Sequence, residues 1–206
     1  MSTPITIIDY GVGNIASIAN MLKKGGYASE LTGDPDVIAR ADKLLLPGVG
    51  AFDRAAVKLR ESGLRDLVIE RAAAGAEILG VCLGMQLLLE GSDEGIEPGL
   101  GIIPGRVRRF PHEVDGVMLR VPHMGWNTIH RVGHPEVLPD VTDGDRFYFV
   151  HSFYVDPADP ADVVATTTHG APFASIVRRG AVTGVQFHPE KSHKMGLRLL
   201  SNFARR

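Results

Sequence analysis

The only cysteine in this 206-residue chain, Cys82, lies between Gly80 and Gly84. Gly-x-Cys-x-Gly is the thiol counterpart of the Gly-x-Ser-x-Gly nucleophile elbow, a tight strand-to-helix turn that lifts a nucleophile above a sheet edge. Glycines suit such a turn because backbones come close there and dihedrals can be unusual. At the start of a helix, the partial positive charge of free N–H groups favours thiolate over thiol. The N–H of Leu83, next after the nucleophile, is then placed to hold an oxyanion. An isolated cysteine in an apolar stretch is more often a small core residue.

A second constellation shifts that balance. His188-Pro189-Glu190 follows the apolar run Val182 to Phe187. Residues two apart on a strand share a face, so Glu190 is expected to approach the imidazole from behind while the other ring nitrogen addresses the thiol. Nucleophile, base and orienter are then all present. Taken singly, His188 reads as a structural histidine and Glu190 as an acid at the start of the last helix. Pro47-Gly48-Val49-Gly50 closes another strand-like run, Lys43 to Leu46. Such a loop is either an ordinary turn or a second source of an oxyanion N–H.

These residues need a sheet to hold them. The first half alternates strand-like runs (Ile5 to Asp9, Lys43 to Leu46, Ala76 to Val81) with helical stretches (Asn14 to Lys24, one ending near Ala74, Leu83 to Glu90). That alternation predicts a parallel sheet with crossover helices. From Gly99 the pattern changes to short strands: Arg106 to Phe110, Val117 to Val121, Arg146 to Val150, Val163 to Thr168, Ala174 to Val177 and Ala181 to Gln186. Their brief connections suggest antiparallel pairs added to the parallel core, before a final helix from about Ser192 to Ala204. The expectation is one three-layer α/β/α domain over residues 1–206, flavodoxin-like, with a mixed, mainly parallel central sheet.

Composition narrows the classes. Hydrophobic residues are 44% and charged residues 22%, values ordinary for a globular domain. No stretch approaches the ~20 apolar residues of a membrane span and Met1 to Tyr10 lacks a signal-peptide pattern, so the expected address is cytoplasmic. A formal net charge of −2 provides no general field for nucleic acid. Arg106, Arg108 and Arg109 read as a solvated strand face. One cysteine excludes an internal disulfide and a thiolate metal cluster. His130 and His134 have metal-like spacing but no third ligand nearby, and these two, like His193, read as surface histidines. Gly11-Val12-Gly13-Asn14-Ile15-Ala16 after the first strand, with Glu30 downstream, satisfies a dinucleotide fingerprint formally. That fingerprint is short and degenerate, and the loop is instead expected to shape a partner interface.

The segments Gly80-Val-Cys-Leu-Gly-Met-Gln86 and Gly184-Val-Gln-Phe-His-Pro-Glu190 resemble the class I (triad) glutamine amidotransferases. The further segments Pro47-Gly-Val-Gly-Ala-Phe52, Pro122-His-Met-Gly-Trp-Asn127, Tyr148-Phe-Val-His-Ser152 and Lys191-Ser192 resemble the branch of that class that supplies ammonia to a cyclase of histidine biosynthesis. The resemblance runs from Ile8 to the last helix. It implies glutamine hydrolysis with Cys82 as nucleophile, His188 as base and then acid, and Glu190 as its orienter. Val49 and Leu83 would offer the oxyanion N–H groups, and Gly50, Gln86, Ser152 and Phe153 would contact L-glutamine. Phe153 stands where a tyrosine is expected. No metal or other cofactor is implied. The implied partner is a separate cyclase subunit, a (β/α)₈ barrel, in a heterodimer; a barrel of ~250 residues has no room in this chain. Asn14, Met124, Trp126, Tyr148 and Lys191 match positions facing that partner. By residue type alone Met124 and Trp126 would be core and Asn14 a helix cap.

Overall fold

A computed structural model describes residues 4–13, 15–132 and 138–206. The first part runs β1 (Ile5–Ile8), α1 (Ile15–Lys24), β2 (Ser29–Thr32), α2 (Pro35–Arg40), β3 (Lys43–Leu46), α3 (Phe52–Glu61), α4 (Leu64–Ala73), β4 (Glu77–Val81) and α5 (Leu83–Leu87). The second part runs β5 (Gly91–Ser92), β6 (Gly105–Arg109), β7 (Glu113–Val114), β8 (Val117–Met118), β9 (His123–Thr128), β10 (His130–Arg131), β11 (Arg146–His151), β12 (Phe153–Pro157), β13 (Val163–His169), β14 (Ala171–Arg179), β15 (Val182–Val185) and α6 (His193–Arg205).

The main sheet has the order β2-β1-β3-β4-β15-β14-β12-β6-β5, with β13 beside β14 and β10 beside β13. From β2 to β15 all neighbours are parallel; β15, β14, β12 and β6 then pair antiparallel. The last strand in sequence, β15, is therefore inserted in the middle of the sheet, parallel to β4. That insertion puts the segment leading to His188 next to the segment leading to Cys82.

Strand alternation sorts the core into two layers. Ile5, Ile7, Leu45, Leu79, Val81 and Val185 pack with Ile18 and Leu22 of α1 and Leu199, Leu200 and Phe203 of α6. Ile8, Leu44, Leu46, Ile78 and Val182 pack with Ile38, Phe52, Leu59, Leu64 and Val68 of α2 to α4 on the opposite face. Helices thus cover both faces of a mixed sheet, as the sequence predicts. A separate antiparallel pair, β9 with β11, adds Phe147 and Phe149 to the first layer.

Several elements differ from expectation. The helix after Cys82 ends at Leu87 rather than Glu90, because Leu88 and Leu89 close with i→i+3 bonds to Met85 and Gln86. The run Val117 to Val121 yields only Val117–Met118, one arm of an exposed hairpin turned by Asp115 and Gly116 at positive φ. The strand expected to reach Gln186 ends at Val185, and the single helical stretch before Ala74 is two helices broken at Gly63 in the left-handed region. Arg106 and Arg108 form a half-exposed, salt-bridged strand face with Asp93 and Asp156.

Candidate active site

The elbow is assembled by close approach. A Cβ on Gly84 would fall 1.9 Å from the Leu46 carbonyl oxygen, and one on Gly80 would fall 2.8 Å from the Gly84 carbonyl oxygen. The unusual dihedral belongs to the cysteine itself: Cys82 has φ 54° and ψ −110°. Strain of this kind, of order 1–3 kcal/mol, persists only where the surroundings over-determine it, and it clusters at functional sites. Here the β4–β15 pairing supplies the determination, since the Cys82 N–H donates to the Val185 carbonyl at 2.8 Å.

His188 and Glu190 meet, but not as neighbours on a strand face. His188 caps a short 3₁₀ turn, Pro189–Lys191, and that turn brings Glu190 back onto the ring at 2.8 Å from Nδ1. The turn is stitched to β11: His188 N–H donates to Tyr148 O, Ser192 Oγ–H donates to His188 O at 2.6 Å, and Tyr148 N–H donates to Ser192 Oγ. Both side chains are nearly fully buried, 4% and 2% exposed. Nε2 of His188 and Oε2 of Glu190 are buried without a hydrogen bond. Nε2 shares the cleft with Cys82, short of a hydrogen bond in this geometry. Burial pulls the imidazole pKa down, but the interactions with Cys82 and Glu190 outweigh it and hold the group up at about 9.

The cleft above these residues has a volume of about 440 Å³. It gathers Cys82, His188, Val49, Leu83, Gly50, Gln86, Ser152 and Phe153, the residues expected for attack, oxyanion support and glutamine contact. Glu190 stands behind His188. The Pro47–Gly50 loop is tied down at both ends: Tyr10 Oη donates to Pro47 O at 2.7 Å, and Phe52 N–H donates to Glu94 Oε2 at 2.9 Å. Gly48 packs against the elbow so tightly that a Cβ would fall 3.0 Å from Gly84 N and Leu83 Cβ. Gly13 of the glycine loop after β1 packs on Pro47, so this loop backs the Pro47 turn.

Lys191, expected to face a partner, also lines the cleft. Met124 and Trp126 are exposed rather than core, at 63% and 41%. Trp126 stacks on His193 and meets Tyr148 edge-on, and Lys191 Nζ lies 5.6 Å above the Tyr148 ring. Asn14 and His134 lie outside the described residues; His130 sits 3.6 Å from Asp143.

Sequence reasoning passed over three residues at the site. Glu94 lines the cleft and is presented by a turn that follows the short strand β5. His151 lines it from the end of β11. Gln186, fully buried, donates to Cys82 Sγ at 3.8 Å and accepts from Gln86 Nε2 at 3.1 Å. The motif contained Gln186, but nothing local to it signals contact with a sulfur 104 positions away. For Phe153 it is the backbone carbonyl that enters the hydrogen bonding, accepting from Gln86 Nε2 at 3.1 Å.

A buried cysteine on a strained turn, with a buried imidazole in the same cleft and a carboxylate behind that ring, is the arrangement of a thiol hydrolase or transferase. A family model described as glutamine amidotransferase class-I matches residues 6–206, and the chain belongs to that family. Within it, the chain is similar over nearly its whole length to the imidazole glycerol phosphate synthase subunit HisH of Syntrophotalea carbinolica (46% identity, 97% of this chain and 98% of that one). The subunit HisH of Methylococcus capsulatus is 49% identical over 98% of this chain and 95% of its own length. Among solved structures, a glutamine amidotransferase superposes with a TM-score of 0.75 at 20% identity, covering 98% of this chain and 97% of that one. PurLQS from Thermotoga maritima gives 0.72 at 18%, covering 100% and 99%. At such identities these two share the fold.

Proposed function

We propose that residues 1–206 act as one glutaminase domain, the ammonia-supplying subunit of an imidazole glycerol phosphate synthase. The observation that carries this reading is the strained Cys82 facing an imidazole whose far nitrogen is held by a buried carboxylate. The thiolate attacks the side-chain amide carbon of glutamine, and the N–H groups of Val49 and Leu83 receive the oxyanion. His188 gives its proton to the amide nitrogen, the C–N bond breaks, and ammonia leaves a γ-glutamyl thioester. Water then adds to the thioester with its proton passing to His188, the C–S bond breaks, and glutamate is released with thiolate and imidazolium restored. Glu190 keeps the imidazole oriented throughout.

Pocket chemistry supports an amino-acid substrate. Glu94 uses Oε2 on Phe52 N–H, which leaves Oε1 for an α-ammonium group. Gln86 has spent its amide hydrogens on Phe153 O and Gln186 Oε1, so its own oxygen is what it offers glutamine. Exposed Met124 and Trp126 beside Tyr148 and Lys191 form an apolar face next to the cleft, suited to a protein partner. That partner is the cyclase subunit, which consumes the ammonia. Among the described residues no helix is long and apolar enough to cross a membrane; we place the chain in the cytoplasm.

The test uses the reconstituted pair. Cys82→Ser abolishes glutamine-dependent turnover, by at least about a thousandfold, while turnover driven by ammonium salts persists on the partner. A glutamine-mimicking electrophile labels Cys82 of the wild type. Retained glutamine-dependent activity in the variant overturns the assignment.

A further inference from the structure

The interior between β9 and Cys82 contains two directed lines of polar side chains that meet on one backbone carbonyl, that of Phe153. Asn127 Oδ1 accepts from Thr128 N–H at 2.8 Å, which fixes its amide orientation. Its Nδ2 then donates to Thr168 O at 2.9 Å and to His123 Nε2 at 3.1 Å. Because His123 Nε2 accepts, the hydrogen of this ring is on Nδ1, which lies 2.9 Å from His151 Nε2. That nitrogen accepts in turn, so His151 carries its hydrogen on Nδ1 and donates to Phe153 O at 2.8 Å. Phe153 O also receives Gln86 Nε2, so the first line ends there and a second starts from Gln86, whose amide donates to Gln186 Oε1 as well. Gln186 Nε2 ends it on Cys82 Sγ. Turning Gln86 would set its oxygen against two oxygens, and turning Gln186 would set two NH₂ groups against each other. One arrangement of protons satisfies every member, and in it both imidazoles are neutral.

We propose that Asn127, His123, His151 and Gln86 are positioning residues for glutamine hydrolysis: a directed run of neutral hydrogen bonds from Asn127 through both imidazoles and a second run from Gln86 hold the Phe153 carbonyl between them, and the second continues through Gln186, which donates to the Cys82 sulfur. This chain of bonds rests on the glutaminase reading for its kinetic consequence, not for its proton arrangement. It does two things. It fixes the Phe153 carbonyl and the Gln86 amide that floor the cleft, and it supplies an N–H to the sulfur when charge is on it. It also keeps positive charge away from His188, because a second proton on either ring would point at a group already donating. The surroundings agree: His169 stacks on His123 at 4.3 Å, Phe110, Phe149 and Phe173 enclose the pair, and His188 lies near His151. Burial, reinforced by neighbouring histidines, lowers His123 to about 4 and His151 to about 3. The chain starts on the strand whose other face carries exposed Met124 and Trp126.

Three measurements on the full chain test this. In nitrogen-15 histidine NMR spectra of the wild type, His123 and His151 are expected as neutral Nδ1–H tautomers throughout about pH 5 to 8; an Nε2–H tautomer, or protonation inside that window, overturns the proposal whether or not glutamine is the substrate. Gln186→Met keeps the shape but removes the donor, and should slow alkylation of Cys82 by iodoacetamide at neutral pH by roughly tenfold; a rate unchanged within about twofold removes the sulfur end of the chain. His151→Asn retains a donor at the Nδ1 position and should keep the glutamine KM within about threefold, whereas His151→Leu should raise KM by roughly tenfold. Equal damage by Asn and Leu would mean a packing role only. If His151→Leu fails to fold, the wild-type spectra still decide.

Discussion

The two ends of the central sheet each carry a cavity, and the larger is not the one proposed to react. At the N-terminal ends of β3 and β4 a cavity of about 770 Å³ is lined by Asp42, Lys43, Arg71, Gly75, Glu77, Arg205 and Arg206. Its charges are matched: Lys43 Nζ donates to Ala204 O, Arg71 to Ala41 O, and Glu77 pairs with Arg178 and Arg206. At the C-terminal ends the 440 Å³ cleft holds a strained cysteine and, beside and behind it, two buried polar atoms without partners, on His188 and Glu190. Groups satisfied within the fold have nothing left to offer a substrate. Unfinished hydrogen bonding and retained strain, not volume, mark the site.

The largest contrast should come from glycines at the two ends. Gly84→Ala drives a methyl into the Leu46 carbonyl, so we expect a loss of at least about 3 kcal/mol in denaturant titrations and loss of glutaminase activity. Gly75→Ala, at φ 87° with open space around its Cβ, should cost only about 1 kcal/mol and leave activity intact. Equal effects would erase the distinction between the ends.

How far the sequence reveals this follows from where each signal resides. Cys82 and His188 stand in contiguous motifs whose residue types announce a chemistry, and the β-α alternation around them is periodic, so the parallel half and the meeting of these two side chains in one cleft are legible. The 3₁₀ turn that delivers Glu190 is not, because strand alternation and a tight turn both bring residue i+2 within reach. Strand β9 escapes notice because its pattern is inverted: Met124 and Trp126 face outward while His123 turns inward. Edge strand β2, Ser29–Thr32, is half exposed and polar. Gln186, His151 and Glu94 acquire their roles only when β4, β15, β14 and β12 come side by side, a long-range pairing no local window contains.

Carboxylates sharpen the comparison at intermediate size. Glu190→Gln still accepts from His188 but withdraws the charge behind it; glutaminase kcat should fall about a hundredfold or more, and the His188 pKa, read by NMR, should move down. Glu77→Gln loses partly exposed ion pairs and should change stability by less than about 1 kcal/mol, without touching kcat.

The remaining contrast is in the pH dependence of stability. The raised pKa of His188 contributes stability that is fully present below the unfolded value of 6.5 and is lost as pH rises through about 9. The depressed His123 and His151 contribute stability that is present above 6.5 and is lost as pH falls toward about 4 and 3. Denaturant midpoints should therefore peak near pH 6.5, and Glu190→Gln should flatten the alkaline flank alone. An unchanged alkaline flank would remove His188 as its source.

The central position of β15 also governs the order in which the molecule can form. Its parallel partner β4 gains that neighbour only by closing about a hundred intervening residues, a long-range contact that forms slowly compared with local hairpin pairing. During that interval Cys82 has no His188 beside it and no Val185 carbonyl to hold its backbone in the strained turn. The strained setting of Cys82 beside His188 is thus a late event in folding. Under the proposed function, attack by Cys82 on glutamine waits until the sheet has closed around its last strand.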